Sequence, residues 1–192
     1  IFKNFYYLTA YNCCSGRNYK NNWVDVCALT NALKMGARCL DFEIYSLNNE
    51  PIIAASTANN NSIKETYNYL KINDVFNVLQ NGDSRAPFSL SEGVFQNHTY
   101  GNDPMFLHFR IMSENKVIYD KIGEYINDYL NKNSDYLLET KYNYKNPDKD
   151  QLYLEKLSNF KKKFIIMVNT LYNSTLENSK LGNHVNLRSG GE

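Results

Sequence analysis

Four short runs constrain this chain most: RCLDFEIY at 38–45, PIIAA at 51–55, MFLHFRIM at 105–112 and FIIMVN at 164–169. Most are apolar on both faces, the pattern of strands covered on two sides. Stretches with helical spacing lie between them. Such strands, alternating with helices, imply an α/β fold with a parallel sheet covered by helices. Five or six strands in 192 residues fit part of a (β/α) barrel or an open sheet, and periodicity alone does not choose.

Local signals place the remaining elements. Asn21 or Asn22 can cap a helix from Trp23 to about Met35, with Gly36 just past its end. Asn73 can cap DVFNVLQN, and residues 83–103 read as loop. Ser113 can cap a longer helix, 114 to about 131. Its apolar side is Val117, Ile118, Ile122, Tyr125, Ile126, Tyr129 and Leu130. Residues 135–149 are an excursion rich in Tyr, Lys and Asn. QLYLEKLSNF reads as a short helix and HVNLRS as a last short strand. No linker divides the chain, so residues 1–192 read as one domain, the ordered part of a longer protein.

Composition narrows the function classes. At 43% hydrophobic and 21% charged residues, the chain reads as globular. A formal charge of +1 supplies no field to draw it to nucleic acid or acidic lipid. The apolar runs fall short of the ~20 residues a membrane span needs. No secretory signal is legible, so a cytoplasmic rather than secreted setting is expected, with Cys13, Cys14, Cys27 and Cys39 reduced and buried. The sequons at Asn97 and Asn173 then read as chance matches in an Asn-rich chain.

Chemistry is concentrated in the first run. Asp41 and Glu43 stand two apart in a strand and therefore point to the same side. Adjacent carboxylates in an apolar strand need something positive between them: a metal, a substrate or a basic side chain. His108 and Arg110 share one face of a later strand. His108 reads first as a satisfied core histidine, with a catalytic role as the alternative. Lys161 to Lys163 read as a solvated strand entry or, alternatively, as a phosphate contact through Lys161 and Lys163.

TAYNCCSG, NNWVDVCALTNALKMGARCLDFEIY, NEPIIAAS, DPMFLHFRIMSENK and FKKKFIIMVN resemble, in order and spacing, the X region of phosphoinositide-specific phospholipase C. The resemblance runs from about residue 8 to 170. The wording LDFEIYS, IAAS, KETYN and LHFRI is similar to a divergent branch found in large DNA viruses. It implies a TIM-type (β/α) barrel, incomplete or distorted. It also implies two catalytic histidines and a calcium site, but the histidine positions fall on Tyr11 and Ala55. The ligand positions fall on Asn12, Asp41 and Glu43, which are acceptable oxygen donors, and on Arg110, which is not. The resemblance therefore implies a degenerate site, in which Arg110 neutralises the two acids, with no metal and no cofactor. A retained metal site is the alternative reading of the acids.

Three functions follow from it. The first is an inactive phospholipase C-like module, a minor capsid-associated protein of a large virus particle, with other virion proteins as partners. The second is a phosphodiesterase with rewired chemistry. The third is an inert binder of phosphoinositide head groups. The lost histidines disfavour the second, and the near-zero charge disfavours the third.

Overall fold

The computed structural model describes residues 2–16, 18–57, 63–85, 90–131, 135–146 and 151–190. Its centre is a sheet of seven strands. These are β1 (Thr9–Ala10), β2 (Cys39–Leu47), β3 (Glu50–Ile53), β4 (Leu70–Lys71), β5 (Met105–Ile111), β6 (Phe164–Asn169) and β7 (Leu187–Ser189). The order is β4-β3-β2-β5-β6-β7, with β1 also on β2. β1, β2, β5, β6 and β7 run parallel. β3 and β4 form an antiparallel extension through the Asn48-Asn49 turn. Both asparagines have positive φ, 50° and 62°, which this residue tolerates better than most.

The sheet is open. A closed eight-stranded barrel with its helices takes about 250 residues, and here five parallel strands cover only part of that circuit. The face that a barrel would enclose is covered by other means. Its N-terminal half packs against a cluster of Phe2, Phe106, Tyr142, Leu152, Phe160 and Ile165. Phe106 and Ile165 are the strands' own residues; Phe2 comes from the segment before β1, and Tyr142, Leu152 and Phe160 from the stretch before β6. The C-terminal half of the same face is polar.

The opposite face carries the main core. Leu40, Phe42 and Ile44 of β2, Leu107 and Phe109 of β5, and Ile166 and Val168 of β6 pack there under three helices. These are α1 (Val26–Lys34), α2 (Ile72–Asn81) and α3 (Lys116–Tyr125). Two shorter helices, α4 (Gln151–Leu154) and α5 (Asn173–Glu177), follow later in the described residues. The period of two in β2 thus puts one residue set into the core and sends Asp41 and Glu43 to the polar face.

Several boundaries differ from the sequence expectation, each for a local reason. α1 is capped by Asp25, whose Oδ1 accepts from the Cys27 N–H at 2.8 Å, not by Asn21 or Asn22. Both backbone groups of Val24 are tied to the Asn68 amide, which keeps the chain extended until Asp25. α2 begins directly from β4, with no side-chain cap, so Asn73 lies inside it. α3 is capped by Asn115 instead of Ser113. It continues as one π-helical turn, Ile126–Leu130, which keeps Ile118, Ile122, Ile126 and Leu130 fully buried. Val117, assigned to that side by spacing, is 44% exposed. Cys13 and Cys14 are buried, but Cys27 and Cys39 are only half-buried.

Candidate functional site

The polar half of the inner face gathers side chains from four parallel strands. Register fixes their neighbours: Asp41 pairs with His108 and Glu43 with Arg110 across β2 and β5, and Asn169 pairs with Ser189 across β6 and β7. A fifth contributor, Asn12, sits in the turn after β1. Its φ of 44° folds the chain back so that its N–H donates to Asp41 Oδ2 at 3.0 Å.

Arg110 is the centre of the cluster. Its Nε and Nη2 both donate to Asp41, at 2.9 Å each. Nη1 donates to Glu43 Oε2 at 3.1 Å, and Nη2 also reaches Asn12 Oδ1 at 2.7 Å. The guanidinium thus lies between the two carboxylates that the sequence left in need of a cation, and its planar fork meets Asp41 with two donors. The Tyr11 ring covers it, with Arg110 Cζ 4.5 Å from the centroid.

The carboxylates have no acceptor capacity to spare. Glu43 accepts from Arg110 Nη1, Asn12 Nδ2, the Ser56 N–H and the Tyr45 hydroxyl. Asp41 accepts from two Arg110 nitrogens, the Asn12 N–H and His108 Nδ1. Both acids are 2% exposed. Burial pushes the Asp41 carboxyl up, but the hydrogen bonds from His108, Arg110 and Asn12, and the Arg110 charge, outweigh it and hold it below the ordinary carboxylate value. Burial likewise opposes the Arg110 charge, and Asp41 and Glu43 overcome it, so Arg110 is more firmly protonated than usual. A cation in this place fits poorly: every donor oxygen is already engaged by an N–H or O–H, and the guanidinium repels a second positive charge. Among the described residues no three His, Cys, Asp or Glu side chains converge as metal ligands.

The lowered Asp41 value has a consequence at low pH. Its folded value lies below the unfolded ~3.9, so across that range the unfolded chain binds more protons and stability rises with pH. This contribution is complete above the unfolded value and is lost as pH falls through the folded one. Denaturant titrations down the acid limb should therefore be shallower for the double variant Asp41→Asn/Arg110→Met than for the native chain. Equal slopes would show that Asp41 does not carry the acid sensitivity.

The other expected site residues lie as follows. Tyr11 is at the rim, 57% exposed. Burial of its phenol raises its pKa despite the pull of Arg110, so it stays protonated at neutral pH. Ala55 is fully buried and offers only a methyl group. Lys161 and Lys163 do not join the cluster. Lys163 precedes β6, and its carbonyl accepts from the N–H of Met105 at the start of β5. Its ammonium is engaged by the Asp135 side chain at 2.9 Å and the Leu137 carbonyl at 3.1 Å. Both lysines therefore lie at the N-terminal ends of the strands, away from Arg110.

Sequence reasoning missed Tyr45, Ser56 and Ser189. The i, i+2, i+4 spacing of Asp41, Glu43 and Tyr45 carried the signal for the first. Ser56 acts through its backbone N–H, which no side-chain pattern reveals. Ser189 becomes a neighbour of His108 only through the β5-β6-β7 pairing, with His108 Nε2 2.5 Å from its Oγ.

No protein-family model matches the chain, and no curated protein matches it. Solved structures do. S. officinalis PLC21 superposes with a TM-score of 0.61 at 14% identity, over 99% of this chain and 24% of its own. A phosphatidylinositol-specific phospholipase C of Streptomyces antibioticus gives 0.54 at 12% identity, over 85% of this chain and 51% of that enzyme. A calcium-dependent phosphoinositol-specific phospholipase C of a Pseudomonas species gives 0.57 at 11% identity, over 100% of this chain and 67% of that one. The chain thus spans about a quarter of the first and half of the second, and it has the mixed α/β fold of phospholipase C domains with the sheet left open.

Proposed function

We propose that this chain is a phospholipase C-like module without phospholipase C chemistry, retained for a structural or binding role. One observation carries the reading: the Arg110 guanidinium bonds Asp41, Glu43 and Asn12 at once. These are the positions to which the resemblance assigns a calcium site, and the Streptomyces and Pseudomonas neighbours are described as calcium-dependent. Tyr11 and Ala55 hold the positions of the acid/base histidines. A protonated phenol and a methyl group cannot share proton transfer between them, and each such partner is typically worth ~10²–10⁴-fold.

The expected result is that phosphatidylinositol incubated with the protein, with or without calcium, releases inositol phosphate no faster than in buffer. Release well above buffer that is lost in Asp41→Asn would overturn the reading. The LDFEIYS, IAAS, KETYN and LHFRI wording supports a place as a minor capsid-associated protein of a large DNA virus. In that case mass spectrometry should find its peptides in purified particles that have been washed with detergent and protease. Their absence from particles, with the protein abundant in the infected cell, would sink that assignment. No helix of the described residues is long and apolar enough to cross a membrane.

A further inference from the structure

Ser189, His108 and Asp41 form a hydrogen-bonded chain across β7, β5 and β2. Ser189 Oγ is 2.5 Å from His108 Nε2, and His108 Nδ1 is 2.8 Å from Asp41 Oδ1. The direction of the protons follows from elementary chemistry. An ionised carboxylate only accepts, so Nδ1 carries a proton toward Asp41; in the neutral imidazole Nε2 then presents its lone pair and the serine hydroxyl donates to it. We propose that Ser189 is a nucleophile with His108 as its general base and Asp41 as the positioning residue, acting on small activated esters by acyl transfer to water. This activity goes beyond the loss of phospholipase C chemistry and does not depend on it, because the two reactions share neither nucleophile nor product.

Further observations support it. Ser189 is the last residue of β7 and is only half-buried. Asn169, the ladder partner of Ser189, has its amide oxygen fixed by the Ile111 N–H at 3.1 Å. That leaves its NH₂ as the donor offered to an oxyanion. The small size of the substrate follows from access, since the His108 side chain is 19% exposed.

The steps balance. Ser189 Oγ bonds to the ester carbonyl carbon while its proton passes to His108 Nε2. Collapse of the tetrahedral intermediate breaks the carbon–oxygen bond to the alcohol, which leaves with that proton. Water then attacks the acyl-serine, giving one proton to His108, and the carboxylic acid departs as that proton returns to Ser189 Oγ. Water is the only co-reactant, and nothing is oxidised or reduced.

The test uses a fluorophosphonate probe, from which the serine oxygen displaces fluoride, on the whole chain, with the labelled peptide mapped by mass spectrometry. Label is expected on Ser189, absent in Ser189→Ala, and slower by ~10²–10⁴-fold in His108→Ala. Added imidazole should restore part of that rate, which a purely structural role of His108 would not allow. Asp41→Asn/Arg110→Met, which removes the ion pair as a unit, should also label more slowly while still melting cooperatively. Labelling of Ser189 no faster than of the chain's exposed serines, or at an equal rate in His108→Ala, would overturn the proposal. A double variant that labels at the native rate would remove Asp41 from it.

Discussion

Arg110→Ala should lower the stability of this protein by about 3–5 kcal/mol, the range seen when one partner of a buried ion pair is removed. In a domain of this size that is a fall of roughly 6–20 °C in melting temperature. A surface ion pair would give a much smaller effect, a median of ~0–1 kcal/mol, so burial decides the magnitude. The Asp41 and Glu43 side chains are 3% and 2% exposed, and that of Arg110 is 20% exposed. Alanine leaves both acids in place, linked through Asn12, with no cation between them. The loss is therefore mostly the cost of two stranded carboxylates rather than the strength of one bond. Asp41→Asn/Arg110→Met should accordingly cost less than the sum of its two single changes, because each removes the other's reason for being charged. Arg110→Lys should fall between, since an ammonium cannot span Asp41, Glu43 and Asn12 with a planar fork. Denaturant midpoints for the five variants check all of this, and strict additivity would show that Asp41 and Arg110 are not energetically coupled.

How much of this was legible in the sequence depends on the range of the interaction. β2 and β5 were legible because their apolar residues must alternate or run continuously to be buried, and the demand of Asp41 and Glu43 for a cation followed from period two alone. Arg110 as that cation needed a tertiary neighbour, supplied by the resemblance. Helix starts were misread where a distant residue held the backbone, as Asn68 holds Val24. β4 was missed because two residues, Leu70 and Lys71, carry no periodicity. Closure could not be read either: a strand buried on both faces looks the same whether its inner face meets opposite strands or, as here, Phe2, Tyr142 and Phe160. Ser189 had no local signal, since its partner lies 81 residues earlier.

Calcium provides the sharpest test of whether Arg110 stands where a metal ligand would. The native chain's melting temperature should not move in millimolar calcium, because an ion that does not bind the folded state cannot stabilise it. Arg110→Glu should behave in the opposite way. Without metal it would crowd three acids and the Asn12 amide into one interior site, so it should be markedly less stable than the native chain. That same set of hard oxygens is of the kind calcium accepts, with its flexible coordination, and that magnesium, which dehydrates reluctantly, accepts less readily. For a site of the weaker class, with Kd about 10⁻⁴ M, calcium at a hundredfold excess should return about 2.7 kcal/mol. In a domain of this size that is roughly 5–11 °C. The Asn12→Ala/Arg110→Glu variant should recover less, since one oxygen ligand is gone. Stabilisation of the native chain by calcium would mean that the guanidinium yields to the ion, and the carboxylates would then be a working metal site. An Arg110→Glu chain that folds but ignores calcium would count against Arg110 standing at a metal position, and the alignment of the LHFRI strand on which that reading rests would have to shift.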